Sequence, residues 1–215
     1  MATVFISGST GYMGRPLAEA LAARGHTVLA LVRSGAQPRA PRGSTPVPGD
    51  ALHPETYLKA IPAGAVFVQL VGTRHPSPFK AASFQEIDRP AGLGSVRAAQ
   101  SAGVSHFVYL SVAQPAPVMR AYIEVRAEVE NAIRAANLPA TILRPWYVLG
   151  PGHRWAAALA PLYAFFKLIP WTRESAIRLG LVSLQQMQIA LINAVERPAD
   201  GVRVWDVAKI RRGGT

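Results

Sequence analysis

Three glycines, Gly8, Gly11 and Gly14, stand three residues apart between the apolar run "TVFIS" and an amphipathic run carrying Leu17, Leu21 and Ala22. The start of a helix leaves backbone N–H groups unpaired and carries a partial positive charge, so it attracts phosphate wherever the backbone can be approached closely. Side chains obstruct that approach, and glycine removes them. The spacing predicts a sharp turn at Gly8, a pyrophosphate against the backbone at Gly11 with Thr10, Tyr12 and Met13 around it, and tight helix packing at Gly14. A ligand-free strand-to-helix turn uses glycines in the same way. Their place at the first strand–helix junction is what points to a dinucleotide.

Roughly 20 residues beyond such glycines, a site for NAD(H) presents Asp or Glu to the ribose hydroxyls. Here the second apolar run, "TVLALVR", ends in Arg33, and no acidic residue stands between Glu19 and Asp50. A guanidinium forks onto a 2′-phosphate, so the expectation is NADP(H) over NAD(H), with a solvated surface arginine as the plain alternative. Asp50 is placed either to hydrogen-bond the adenine amino group or to cap a helix over "ALHPETYLKAI". Val71 and Gly72, after the fourth apolar run, are expected along the adenosine.

Other reactive side chains lack an arrangement. The chain has no cysteine, which removes disulfides and thiolate chemistry and fits a reducing, cytoplasmic setting. His26, His53, His75, His106 and His153 show no metal-ligand spacing, so no metal site is expected. His75 in "GTRHPSP" and His153 in "GPGHRW" are the two candidates to face a pocket, with solvent-facing loop histidines the plain alternative. Ser9 and Ser111 have no GxSxG elbow.

Short apolar runs at 3–7, 27–32, 65–71, 106–110 and 140–143, with a weaker one at 45–50, alternate with helix-like patterns at 12–24, 84–102 and 120–136. Alternation of this kind predicts an α/β fold, a doubly wound parallel sheet buried on both faces. A Rossmann core over 1–150 is expected, with a small helical region over 151–215 packed on its substrate side in a single structural domain, ending in a strand near 202–206. Residues 155–171 are the most apolar stretch, but Pro161, Lys167 and Pro170 interrupt them, and they fall short of the roughly 20 residues that span a bilayer. They read as a core helix lining an apolar pocket, with peripheral membrane contact the lesser alternative. No charged n-region precedes a long apolar stretch, so no secretory signal is expected. The net charge of +11 is diffuse, with Arg211 and Arg212 the one adjacent basic pair, so no nucleic-acid partner is expected.

The segments "SGSTGYMG", "VFVQLVG", "FVYLSVAQ", "YIEVRAEVE" and "TILRPWYVLGPG" together resemble the short-chain dehydrogenase/reductase superfamily, in its atypical NAD(P)H-binding group with the NmrA-like regulators and the NADPH-binding accessory subunit of respiratory complex I. The resemblance covers residues 2–150. It implies Ser111 as the substrate-orienting serine, Tyr122 as the general acid/base, and Arg126 where a lysine normally holds the nicotinamide ribose and lowers the tyrosine pKa. It also implies that Pro145, Trp146, Tyr147 and Val148 border the nicotinamide, with Tyr147 a reserve proton donor. Spacing of i, i+4 puts Tyr122 and Arg126 on one helix face. The alternative is a packed Tyr122 with Arg126 paired to Glu130 or Glu124. The implied activity is reduction of a small apolar carbonyl or quinone-like substrate. The competing implication is a non-catalytic NADP(H) sensor or regulatory module. Substrate identity and oligomeric state stay open.

Overall fold

The computed structural model describes residues 1–116, 118–151 and 179–214. Strands β1 (Thr3–Ser7), β2 (Thr27–Val32), β3 (Thr45–Pro48), β4 (Val66–Gln69), β5 (His106–Leu110), β6 (Ala140–Leu143) and β9 (Val202–Trp205) form one seven-stranded sheet in the order β3-β2-β1-β4-β5-β6-β9. Every pairing in it is parallel. This is the doubly wound Rossmann arrangement, in which the strand order reverses direction between β1 and β4 and leaves a crevice at the carboxyl edge.

Two cores follow from the period-2 alternation of side chains. Val4, Ile6, Val66 and Val108 face one side, where helices α1 (Gly14–Ala23) and α4 (Leu184–Glu196) supply Leu17, Leu21, Met187 and Leu191. Phe5, Phe67 and Phe107 face the other, under Val96 of α2 (Arg89–Ala102) and Val129 and Ile133 of α3 (Arg120–Ala135). These three phenylalanines lie in register across β1, β4 and β5, with ring centroids 5.1 and 5.4 Å apart. At the edge strand β3, Pro46 and Pro48 remove donors that would otherwise invite another chain.

Two expectations need correction. The helix pattern over 84–102 opens instead as a π-helical turn, Phe84–Asp88, before α2 starts with Pro90 in its first turn. The stretch "ALHPETYLKAI" forms two 3₁₀ turns, Pro54–Thr56 and Leu58–Ala60, because Pro54 lacks the N–H a continuing helix needs. A small second sheet was not foreseen: β7 (Tyr147–Leu149) pairs in parallel with β8 (Leu181–Ser183). Helix α4 follows β8 directly, its start fixed by a capping box between Ser183 and Gln186. The short helix α5 (Val207–Arg211) follows β9. The apolar stretch 155–171 and His153 lie outside the described residues. Among the described residues, no helix is long and apolar enough to cross a membrane and no metal-binding cluster forms.

Candidate dinucleotide site

The glycine loop sits at the β1/β4 reversal. Gly8 has φ +82°, and a Cβ there would stand 2.9 Å from the Leu70 carbonyl carbon and from the Val71 nitrogen, so the loop runs against the β4 exit. A Cβ on Gly14 would overlap the Gly8 carbonyl oxygen, which is why α1 can begin directly on the turn. Gly11 donates its N–H to that same carbonyl at 3.0 Å. Among the described residues no side chain caps α1, and no acidic residue occupies its first turn. Thr10 and Gly11 are exposed, and Tyr12 and Met13 are half-buried. Buried Ser9 donates its hydroxyl to the Leu31 carbonyl at 2.8 Å and ties the loop to β2. Exposed glycine backbone and a helix start with no acidic residue in its first turn suit a diphosphate, with Glu19 one turn on and paired to Arg15 at 3.8 Å, so the residues present fit the group the fold implies.

Of the residues expected around the adenosine, Arg33 is exposed at the end of β2. Sequence reasoning missed its companion: Arg15, in the first turn of α1, donates to the Arg39 carbonyl at 2.7 Å, bringing a second guanidinium to the loop that Arg33 begins. Asp50 is half-buried. Its carboxylate accepts the Leu52 N–H at 3.0 Å and its own N–H donates to the Thr56 hydroxyl at 2.9 Å, so it shapes a turn and caps no α-helix. Val71 and Gly72 are half-buried, Val71 beside Gly8 and Gly72 against Arg126 and Asp88.

The family whose sequence model matches residues 8–154 is described as NAD(P)H-binding. The chain belongs to that family. A 3-diazoavenalumate denitrifying reductase from a Streptomyces species is 32% identical over 179 residues, 71% of this chain and 58% of the relative. A ceramide reductase from Caulobacter vibrioides is 26% identical over 215 residues, 98% of this chain and 66% of the relative. The chain thus spans less than two thirds of either relative's length. A short-chain dehydrogenase/reductase superfamily protein from Agrobacterium tumefaciens with bound NAD superposes with a TM-score of 0.67 at 17% identity, over 98% of this chain and 81% of that one. That likeness is one of fold.

In this family member the face expected to border the nicotinamide is held by two buried ionic clusters. Arg126 is 5% exposed. It ion-pairs with the buried Asp88 at 2.5 Å and donates to the Leu110 carbonyl at 2.9 Å and the Tyr109 hydroxyl at 3.4 Å. Its guanidinium lies 4.9 Å from the Tyr122 ring centroid, and a Cβ on Gly72 would overlap it. Asp88 also accepts the Thr73 N–H at 2.9 Å and the Thr73 hydroxyl at 2.5 Å, so the pair pins the β4 exit to α3. Arg126 therefore pairs with neither Glu130 nor Glu124, the partners its helix spacing offered.

Glu124 bonds Arg120 at 2.9 Å. Glu130 gathers the second cluster: it accepts from the Ser111 hydroxyl at 2.7 Å, Gln114 at 2.8 Å, Arg144 at 2.9 and 2.5 Å, and Arg134 at 3.3 Å. Burial pushes the Glu130 carboxyl up, but the hydrogen bonds from Arg144 and Ser111 and the charges of Arg144 and Arg134 outweigh it and hold it below the usual range. Burial raises the Tyr122 phenol, with Arg126 pulling it down and Asp88 pushing back. The Tyr122 ring packs 4.8 Å from that of Phe84. The exit loop is tied in as well: Ala113 donates to the buried Pro145 carbonyl at 2.9 Å, Trp146 and Val148 pack on the α1/α4 core, and the half-buried Tyr147 starts β7.

Asp88, Thr73 and Arg144 were missed from sequence, and Glu130 was foreseen only as a partner for Arg126, not for Ser111 and Arg144. Glu130 had a signal, since Tyr122, Arg126 and Glu130 form one i, i+4 stripe. Asp88 had none, because the π-helical turn that carries it follows no simple period.

Proposed function

We propose that this chain is an NADPH-dependent oxidoreductase acting on a small apolar carbonyl or quinone-like compound, in the cytoplasm. The observation that carries the reading is the uncapped start of α1 resting on Gly8 at the β1/β4 reversal, where backbone lies bare to a diphosphate. Relatives named as reductases support the reaction class. Arg33 and Arg15 flank the β2–β3 loop and supply charge for a 2′-phosphate. A bound nicotinamide supplies the hydride.

The side chains do the rest. Burial raises the Tyr122 phenol, which weakens it as an acid but leaves it protonated and still more acidic than the alkoxide that hydride transfer generates, so Tyr122 is the proton donor in the direction reduction needs. Arg126, neutralised by Asp88, orients the Tyr122 ring and the β4 exit and does not generate a tyrosinate. Ser111, engaged by Glu130, fixes the loop after β5 and keeps the β5 and β6 exits aligned. Trp146, Tyr147 and Val148 form the apolar border on the far side.

NADPH oxidation over a panel of carbonyls and quinones tests this. Tyr122→Phe is expected to lower kcat by roughly 100-fold or more with NADPH affinity unchanged; an unaltered rate removes Tyr122 as the acid. The charge of Arg126 being spent on Asp88 favours one competing reading, an NADP(H)-binding sensor. Its signature is tight NADPH binding with no turnover across the panel.

A further inference from the structure

We propose that the rim formed by the loops leaving β4 and β5 docks on an anionic lipid bilayer, with Phe79 and Val118 entering the headgroup region and Arg74, Lys80 and Arg120 facing the lipid phosphates. Phe79 is 97% exposed and Val118 is 52% exposed. Leaving a whole phenyl ring in water forgoes its burial, and burial was close at hand: Phe84, five residues on, is packed against Tyr122. The two tips share one rim, because β4 and β5 are adjacent parallel strands and the Pro78–Lys80 turn packs against α3, whose first residue stands two after Val118.

The tip is shaped in advance. Pro76 and Pro78 stiffen it, and Lys80 donates to the Arg74 carbonyl at 2.7 Å across its base, so little order is lost on docking. Its charge suits one class of surface. Residues 72–83 and 111–120 carry Arg74, Lys80 and Arg120 together with His75, and no Asp or Glu. The first acids beyond them are Glu86 and Glu124, the latter bonded to Arg120. A net charge of +11 adds attraction at longer range toward an anionic leaflet. Two isolated apolar tips are too small for a specific protein interface, which buries roughly 1,600 Å², whereas ring insertion between charged headgroups needs no more than this. Docked in this way, the crevice mouth faces the bilayer and an apolar substrate reaches it without crossing water. That last consequence rests on the reductase reading; the docking itself does not.

The test is sedimentation of the full chain with vesicles of phosphatidylcholine, alone or mixed with phosphatidylserine. Wild type is expected to bind the mixed vesicles and to be released by salt. Phe79→Glu and Val118→Glu are each expected to lower the partition coefficient about tenfold without lowering Tm, and a double Arg74→Gln, Arg120→Gln variant to lose binding on the mixed vesicles. Failure of wild type to sediment with the mixed vesicles overturns the proposal. So does wild-type sedimentation of both glutamate variants, which would place the contact elsewhere on the chain. Neither measurement involves turnover, so neither result bears on the reductase reading.

Discussion

At Asp88 a carboxylate with no access to water meets a guanidinium almost as deeply buried. Desolvation makes such a pair a poor source of net stability, yet removing one partner strands the other. Asp88→Ala is therefore expected to cost about 3–5 kcal/mol in urea denaturation, and amide exchange should report loss of protection at the Thr73 N–H that Asp88 accepts. A cost near zero would mean that Arg126 finds another partner on release. Single residues were legible from sequence where their requirement is local. Gly8 and Gly14 answer to the backbone beside them, and their spacing states that need directly. Arg126 answers to a residue 38 positions away in the chain, and no helix rule reaches that far.

Elements were legible where burial was complete. Strands covered on both faces read as unbroken apolar runs, and β1, β2, β5 and β6 fall on the residues their patterns predicted. Patterns failed where a backbone hydrogen bond was decisive, at Pro54 and in the π-helical turn before α2. The junction of β1 with α1 offers the sharpest test at this scale. Gly14→Ala forces the start of α1 off the Gly8 carbonyl, and is expected to cost about 1–3 kcal/mol and to weaken NADPH binding in calorimetry. Gly201→Ala, where an added Cβ meets nothing within 4 Å, is the matched control and should leave both unchanged.

Across the whole molecule, acid stability should report on the opposite edge of the sheet. His106, at the start of β5, is fully buried between the Thr141 hydroxyl at 3.0 Å and the Ala199 N–H at 3.4 Å. Burial, reinforced by the charge of Arg203, pushes its pKa down from 6.5 to about 4. The unfolded chain then binds a proton between those values that the folded chain refuses, so stability is full above pH 6.5 and falls as the pH drops toward about 4. Denaturation of wild type over that window should lose up to about 3 kcal/mol more than His106→Gln loses. Parallel curves would mean that His106 is protonated in the fold. Glu130 and Glu196, whose carboxyls are also held low, begin to cost stability only as the pH falls through the ordinary carboxyl value of 4.5, at the bottom of this window, and affect both proteins alike.

The position of β9 sets how the molecule must assemble. It pairs with β6, yet the chain travels from residue 143 to residue 202 before supplying it, and on the way delivers the α4 side chains that cover β1 and β4. A nascent chain that has finished the glycine loop and its six neighbouring strands still shows water one oily flank and one open row of amides on β6. The glycine loop at 8–14 thus leans on a core that closes only once α4 has covered β1 and β4 and residues 202–205 have paired with β6.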